Sequence, residues 1–199
     1  MKTLLYALFC CCLSTWATAQ TASITGTIRC LDNTGQVDVN ITLNSDLLSS
    51  PLTTTTDANG YYEFSDLPTG GDYEIVPEKE LVNPLNGVST FDLVRMSRII
   101  LGLDPIDPFL FLAADLNQSG SITTFDMVDG RKLILGLSNN LMLSWIYATP
   151  DFMLPSADFP QGQGSVGQLT ISNLSADVDD ADFNAIRPGD LNLSGDCNE

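Results

Sequence analysis

The chain contains no histidine in its 199 residues. Catalysis by Ser-His-Asp or Cys-His groups is therefore excluded, because a histidine base activates the nucleophile in both. Zinc sites that include histidine are excluded for the same reason. Acidic residues are abundant, but the chain is too short and modular to build a glycosidase-type substrate cleft around a carboxylate pair. We therefore expect that this protein is not an enzyme.

Basic residues are also scarce, with eight Lys and Arg against twenty-five Asp and Glu and a formal net charge of −17. Nucleic acids and anionic membranes are recognised by basic patches, which this composition disfavours. We therefore expect no nucleic-acid partner. An acidic chain of this kind suits solubility and the binding of divalent cations outside a cell.

Long apolar runs are absent beyond the N-terminus, so no transmembrane segment is predicted. Residues 1–19 combine Lys2, an apolar run at 4–13 and the small-residue sequence Ala17-Thr18-Ala19. This is the pattern of a secretory signal peptide that is cleaved after Ala19. The mature chain is thus expected to be secreted or to lie at the cell surface.

Cysteine is nearly absent from the exported chain, which keeps only Cys30 and Cys197 after removal of the signal peptide. Export permits disulfide formation, because the extracellular environment is oxidising. Two cysteines in opposite halves of a sequence do not establish a bond by themselves. Whether they pair is therefore left open by the sequence.

Two segments of the chain repeat each other thirty-four residues apart. Residues 86–103 read NGVSTFDLVRMSRIILGL and residues 120–137 read GSITTFDMVDGRKLILGL, and they align without a gap. The duplication indicates one loop-plus-helix unit used twice, with each helix burying its apolar face against the other. We predict these helices over residues 90–101 and 124–135. Their apolar faces are formed by Phe91, Val94, Ile100, Leu101, Phe125, Val128, Ile134 and Leu135.

The second helix follows residues 115–126, D-L-N-Q-S-G-S-I-T-T-F-D, which carry oxygen atoms at alternate positions. EF-type calcium loops take ligands from positions 1, 3, 5, 7, 9 and 12, with glycine at position 6. The predicted Ca²⁺ ligands are Asp115, Asn117, Ser119, the carbonyl of Ser121, Thr123 through water, and Asp126. Only two of them carry charge, so the expected affinity is about micromolar to millimolar. The alternative is a solvated turn that caps the helix, because Asp, Asn, Ser and Gly also favour turns.

The loop before the first helix is a degenerate copy, since leucine stands at two of its ligand positions, 81 and 85. Two interpretations remain open, namely a helix start favoured electrostatically by its acidic residue and a weaker calcium site. The weaker site consists of Asn83, Asn86, the carbonyl of Gly87 and Asp92. A third copy of the loop start, D-L-N-L-S-G, lies at residues 190–195. It ends two residues short of position 12, so no complete third loop is expected.

The sequences FDLVRMSRIILGL and AADLNQSGSITTFD...RKLILGL resemble the repeats of type I dockerins. The resemblance covers residues 80–139 and is similar to the variant in large secreted proteins of Bacteroidetes-type bacteria. It implies calcium binding and docking to a cohesin-like domain, in the same chain or in another. It also implies partner contacts through Thr123, Thr124, Arg131 and Lys132 or, in the mirrored orientation, through Ser89, Thr90, Arg95 and Arg98.

Residues 22–78 contain short runs of alternating apolar and polar residues separated by turn signals, which is typical of a β-sandwich. Asn59-Gly60 is a hairpin signal, because both residues accept positive φ. The sequences ITGTI and TDANGYYEFSDLPTG, followed by a Y-x-I-V strand, resemble carboxypeptidase-regulatory-like and Cna-B-like modules. This resemblance implies a prealbumin-like sandwich that serves as a spacer or adhesive stalk.

The predicted fold class is α+β and modular. A signal peptide at 1–19 precedes a small prealbumin-like β-sandwich at 20–79 and a two-repeat loop–helix dockerin-like module at 80–139. A β-rich C-terminal annex at 140–199, complete or truncated, is expected to pack on the helices. Within it, residues 181–190 are expected to form a sheet-edge element.

The sequence thus favours an exported, non-catalytic, calcium-binding protein. Its dockerin-like module would mediate cohesin-type or intramolecular docking at the cell surface, within a polysaccharide-degrading system. The alternative is an adhesin or glycan-binding stalk in which calcium is only structural. Exposure of Tyr61, Tyr62 or Trp145 on one platform would favour the glycan-binding alternative.

Overall fold

The structure, a computed structural model, describes residues 20–137, 144–155 and 162–199, so the predicted signal peptide lies outside it. Two four-stranded sheets enclose one apolar core. The strands are β1 (Thr21–Cys30), β2 (Asn40–Asn44), β3 (Leu52–Thr55), β4 (Tyr61–Pro68), β5 (Tyr73–Glu78), β6 (Ile146–Ala148), β7 (Leu169–Ile171) and β8 (Phe183–Ile186). The helices are α1 (Thr90–Ile100), α2 (Pro108–Ala114) and α3 (Thr124–Ile134).

The first sheet has the strand order β4-β1-β8-β6. Its longest strand, β1, buries every second residue, because successive side chains of a strand point to opposite faces. Ile24 and Ile28 thereby enter the core, while β1 pairs antiparallel with β4 and parallel with β8. The second sheet has the order β3-β2-β5-β7 and buries Ile41, Leu43 and Ile75 against the first. The prediction of a β-sandwich is therefore confirmed.

The C-terminal region completes this sandwich, which differs from the expected annex packed on the helices. Strands β6 and β8 extend the first sheet, and β7 pairs with β5 in the second. The prediction of an edge element at 181–190 is wrong, because β8 lies between β1 and β6 and buries Phe183, Ala185 and Ile186. The three helices thus lie in an insertion between two strands of the sandwich.

Helices α1 and α3 have the same length and the same ends, as their repeated sequences predict. Ser89 and Thr123 are the N-caps, and each forms a reciprocal capping box with an aspartate three residues later. Gly102 and Gly136 follow the last turns with φ of 67° and 65°. This left-handed conformation ends a helix and suits glycine. The predicted helices are confirmed to within one residue at the C-terminal end.

The two helices pack through a different face from the one we predicted. Met96 and Leu133 are buried in the helix-pair region. A side chain at Gly130 would place its Cβ 2.8 Å from Leu93 Cδ2, so the glycine permits close approach of the helices. Six of the eight residues predicted to be buried are exposed: Phe91, Val94, Leu101, Phe125, Val128 and Leu135. Each helix has apolar residues around most of its circumference, and the repeat alone does not say which of them meet.

Cys30 at the end of β1 forms a disulfide with Cys197. The bond answers the question that the sequence left open and ties the C-terminal segment to the sandwich. Within the described residues, no helix is both long and apolar enough to cross a bilayer.

Candidate functional site

The predicted calcium loop at 115–126, called the contiguous loop below, runs from the end of α2 to the start of α3. Asp115 is buried, and its two carboxylate oxygens accept hydrogen bonds from the backbone N–H groups of Ser119 at 2.9 Å and Gly120 at 2.7 Å. The Ser119 N–H also donates to Asn117 Oδ1 at 3.0 Å. Positive φ angles at Gln118 and Gly120 provide the tight bends. The first three predicted ligand residues therefore converge.

Asp126 closes the same loop from the first turn of α3. Its buried carboxylate accepts the Asn117 N–H at Oδ1 (3.2 Å) and the Thr123 N–H and hydroxyl at Oδ2 (2.8 and 3.1 Å). The Ser119 hydroxyl donates to the Ser121 carbonyl at 3.1 Å. All six predicted ligand residues thus belong to one hydrogen-bonded loop. The same bonds also fit the turn-and-cap alternative.

The charges of the loop distinguish a calcium site from a helix-capping turn better than its hydrogen bonds do. In the described ranges, the ion pairs are Arg98 with Asp104 and Lys132 with Asp129, so neither buried loop carboxylate has a basic partner. A buried charge without a counter-charge is costly, and a bound cation would relieve that cost. No group of three or more His, Cys, Asp or Glu suited to a metal occurs among the described residues. Most ligands of an ion here would therefore be neutral oxygens.

The degenerate loop before α1 contacts the C-terminal segment, whose residues were not among the predicted calcium ligands. Asp92 accepts hydrogen bonds from the backbone N–H groups of Leu191 at 2.9 Å and Asn192 at 3.1 Å. The Ser194 hydroxyl donates to the Gly87 carbonyl at 3.2 Å. The signal for this contact was the third copy of the loop start, which we expected to stay incomplete.

The predicted weak site is therefore arranged differently from our expectation. Gly87 and Asp92 lie together against the C-terminal segment, but the side chains of Asn83 and Asn86 are occupied elsewhere. Asn83 Nδ2 donates to Glu199 Oε1 at 3.1 Å. Asn86 donates to the Asp196 carbonyl at 3.3 Å and accepts its N–H at 3.0 Å. The side-chain amides of these two asparagines therefore bind the C-terminal residues.

The residues that the dockerin resemblance assigns to partner contact surround the helix pair. Thr90 and Thr124 begin the two helices and are exposed, whereas Ser89 and Thr123 are occupied as N-caps. The basic residues are Arg95, Arg98, Arg131 and Lys132, which are four of the seven basic residues of the chain after residue 19. Asp104 pairs with one of them and Asp129 with another. Arg95 donates to the Leu191 carbonyl, and a fifth basic side chain, Arg187, donates to the Asp196 carbonyl, so both bind the C-terminal segment.

The exposed apolar side chains that α1 and α3 share through the repeat are together called the helix face below. It consists of the repeat-related pairs Phe91/Phe125, Val94/Val128, Leu101/Leu135 and Leu103/Leu137. Spacings of three residues from Phe91 to Val94 and seven residues from Val94 to Leu101 place these side chains on one side of α1, and the same holds for α3. Phe91 is 61% exposed and Phe125 is 72% exposed. The helix face is therefore apolar and nearly repeats itself on both helices.

The aromatic platform that would favour glycan binding is not formed by the three residues we proposed. Tyr62 is buried and donates its hydroxyl to the Ala181 carbonyl. Trp145 is buried with the Arg187 guanidinium carbon 4.5 Å from its ring centroid. Only Tyr61 of the three is exposed.

Comparison with known proteins gives a limited likeness. No family model and no curated protein matches the chain. Part of the chain, 30%, is similar to 19% of the crystal structure of BcpA, the major pilin subunit of Bacillus cereus, with 24% identity and a TM-score of 0.27. A C-terminal fragment of the pilus adhesin SpaC from Lactobacillus rhamnosus GG matches 33% of the chain over 27% of its own length, with 17% identity and a TM-score of 0.28. This likeness is to β-sandwich proteins and supports no conclusion about function.

Proposed function

We propose that this chain is an exported, non-catalytic surface module in which a calcium-ordered helix pair docks a cohesin-type protein domain. The observation that carries the proposal is the helix face, an exposed apolar surface repeated on α1 and α3. Large exposed apolar patches on secreted proteins commonly mark interaction sites. In this proposal the β-sandwich is the scaffold that carries the helix face.

In this proposal, calcium stabilises the contiguous loop and the start of α3. Ca²⁺ takes six to eight oxygen ligands, and the contiguous loop offers alternate side-chain oxygens that end in a carboxylate at each end. The ion offsets the charges of Asp115 and Asp126, which are buried and form no ion pair in the part of the chain that the structure describes. Because it binds the folded loop better than the unfolded chain, it stabilises the start of α3.

The partner is inferred from the apolar character of the helix face rather than from its charge. Arg95, Arg98, Arg131 and Lys132 lie on α1 and α3, although the whole chain carries a formal charge of −17. Asp104 and Asp129 offset two of these charges, and Arg95 donates to the Leu191 carbonyl. The fitting partner is a second protein with an apolar surface, and the dockerin resemblance favours a cohesin-type domain.

The second candidate is an adhesive stalk in which calcium is purely structural. The completion of the sandwich by β6, β7 and β8 and the Cys30–Cys197 disulfide favour it. Both features fix the helices firmly to the sandwich, whereas a docking module can fold separately. In this case calcium stabilises the chain but the helix face has no partner.

Capture of purified cohesin-type domains by residues 20–199, in calcium and in chelator, tests the proposal. We expect calcium-dependent capture that is lost in the double variant Phe91→Ser/Phe125→Ser, because a repeated face allows either helix to replace the other. The control is Tyr61→Ser, which removes an exposed aromatic from the sandwich. Failure of every domain in the panel to bind, or equal capture by the double variant, overturns docking and favours the stalk.

A further inference from the structure

We propose that the C-terminal segment and the loop before α1 form a second calcium site from two separate stretches of chain. Residues 190–195 supply the first half of an EF-type loop and residues 87–92 supply the second half. We call this arrangement the split loop. The inference rests on the calcium chemistry of the proposed function and adds a site that the sequence repeat alone does not contain.

The two halves match the contiguous loop in sequence. Residues 190–195 read D-L-N-L-S-G and residues 115–120 read D-L-N-Q-S-G, which differ only at position 4. Residues 87–92 read G-V-S-T-F-D and align with S-I-T-T-F-D at 121–126, which are positions 7 to 12. Joined in this order, the two segments place an oxygen donor at each EF-type ligand position.

The first half also reproduces the hydrogen bonds of the contiguous loop. The Ser194 N–H donates to Asp190 Oδ1 at 3.1 Å and to Asn192 Oδ1 at 3.0 Å, and the Gly195 N–H donates to Asp190 Oδ2 at 2.8 Å. The corresponding distances in the contiguous loop are 2.9, 3.0 and 2.7 Å. An incomplete loop in sequence therefore has the conformation of a complete one.

The bonds that cross from the first half to the second half recur as well. The Asn192 N–H donates to Asp92 Oδ1 at 3.1 Å, as Asn117 does to the last ligand of the contiguous loop at 3.2 Å. The Ser194 hydroxyl donates to the Gly87 carbonyl at 3.2 Å, and the equivalent bond in the contiguous loop is 3.1 Å. These bonds connect residues about a hundred positions apart in sequence.

The backbone is adapted to this junction. Leu193 has a φ of 58°, close to the 54° of Gln118 at the same position of the contiguous loop, although leucine rarely adopts this conformation. A Cβ at Gly87 would lie 2.5 Å from Gly195 Cα, so the glycine lets the two segments meet. The junction therefore depends on Gly87, and Leu193 gives the C-terminal segment the same bend as the contiguous loop.

An independent observation, the burial of two carboxylates, points to a cation. Asp92 is 1% exposed and Asp190 is 4% exposed, and neither takes part in an ion pair within the described ranges. Arg187 donates instead to the carbonyls of Asn83, Asp196 and Glu199. Two buried like charges that form no ion pair among the described residues are costly, and a divalent cation between them removes the cost.

The split loop explains why the degenerate loop tolerates leucine. Its ligand set is Asp190, Asn192, Ser194, the carbonyl of Gly87, Ser89 through water, and Asp92. Leu81 and Leu85 stand where an uninterrupted loop needs oxygen, but the C-terminal segment takes over these positions. Calcium would then fasten the C-terminus to α1, in addition to the disulfide at Cys197.

Calcium stoichiometry of the disulfide-bonded chain 20–199, measured by native mass spectrometry at increasing calcium, tests the proposal. We expect two ions for the wild type, one for Asp190→Asn, one for Asp115→Asn and two for the control Asp196→Asn. One ion that is lost in Asp115→Asn and kept in Asp190→Asn overturns the split loop and leaves the contiguous site intact. One ion with the reverse pattern supports the split loop and overturns the contiguous site. No bound ion overturns both.

Amide hydrogen exchange keeps the test valid if Asp190→Asn does not fold. In the wild type, calcium should slow exchange at the Leu191 and Asn192 amides, which donate to Asp92. Ser194→Ala removes one ligand oxygen and keeps the backbone, and it should weaken this protection. Exchange at these amides that is unchanged by calcium in the wild type contradicts the split loop.

Discussion

The carboxylate of Asp126 joins the contiguous loop to α3, since its Oδ1 accepts the Asn117 N–H at 3.2 Å while its other oxygen caps the helix. The residue that completes the capping box of α3 is thus also the one that an EF-type loop uses as its last ligand. Loss of the ion is therefore expected to destabilise the first turn of α3 and the part of the helix face that follows it.

Replacement of Asp126 by asparagine should weaken calcium binding at the contiguous loop by about tenfold or more, because the number of charged ligands sets affinity. Titration calorimetry on residues 20–199 measures this change. Asp129→Asn is the matched control, because Asp129 also lies on α3 but pairs with Lys132. Equal calcium heats for Asp126→Asn and wild type would mean that Asp126 is only a helix cap.

Removal of calcium should lower the melting temperature. An ion present at one hundred times its Kd stabilises the folded state by about 2.7 kcal/mol. For a chain of this size, that corresponds to about 5–10 °C. Circular dichroism melts in calcium and in chelator measure the shift. Magnesium should restore less of it, because Mg²⁺ requires near-octahedral geometry and retains its waters.

Loss of the disulfide between Cys30 and Cys197 should destabilise the chain by about 2–5 kcal/mol, since it closes a long loop between β1 and the C-terminal segment. Urea denaturation of Cys30→Ser/Cys197→Ser measures the free energy of unfolding. Reductant should destabilise the wild type to a similar extent and leave the double variant unchanged. A double variant as stable as the wild type would contradict this role.

Substitution on the helix face should leave stability nearly unchanged, whereas substitution beneath it should not. Phe125→Ser is expected to change the free energy of unfolding by about 0.5 kcal/mol or less, because Phe125 is mostly exposed. Leu133→Ala removes a buried side chain from the same helix and should cost about 2–5 kcal/mol. A large loss for Phe125→Ser would show that the face packs inside the protein.

The helices and the contiguous loop could be predicted because their determinants are local. Ser89 and Thr123 precede each helix by one residue, Gly102 and Gly136 follow it, and the bonds of the contiguous loop span at most nine residues. Capping and turn preferences act over that distance. The sequence pattern therefore predicts both the ends of the helices and the loop between them.

The completion of the sandwich and the split loop could not be predicted in the same way. Strand β8 has four residues and pairs in parallel with β1, for example Ile28 with Phe183, from the far end of the chain. Such pairing depends on tertiary packing, and a short segment contains too few residues for a sequence pattern to predict it. Residues 190–195 carry the first half of the loop pattern, but the second half precedes α1 and lies earlier in the chain. A motif that is read continuously along the sequence does not join the two halves.

A crystal structure of residues 20–199 grown with calcium tests the central claim most directly, by anomalous scattering and the ligands around the ion. We predict an ion in the contiguous loop, with oxygens of Asp115, Asn117, Ser119, Ser121 and Asp126 at about 2.3–2.6 Å. An ordered loop at saturating calcium that holds only water would contradict the claim and leave a capped turn on a β-sandwich.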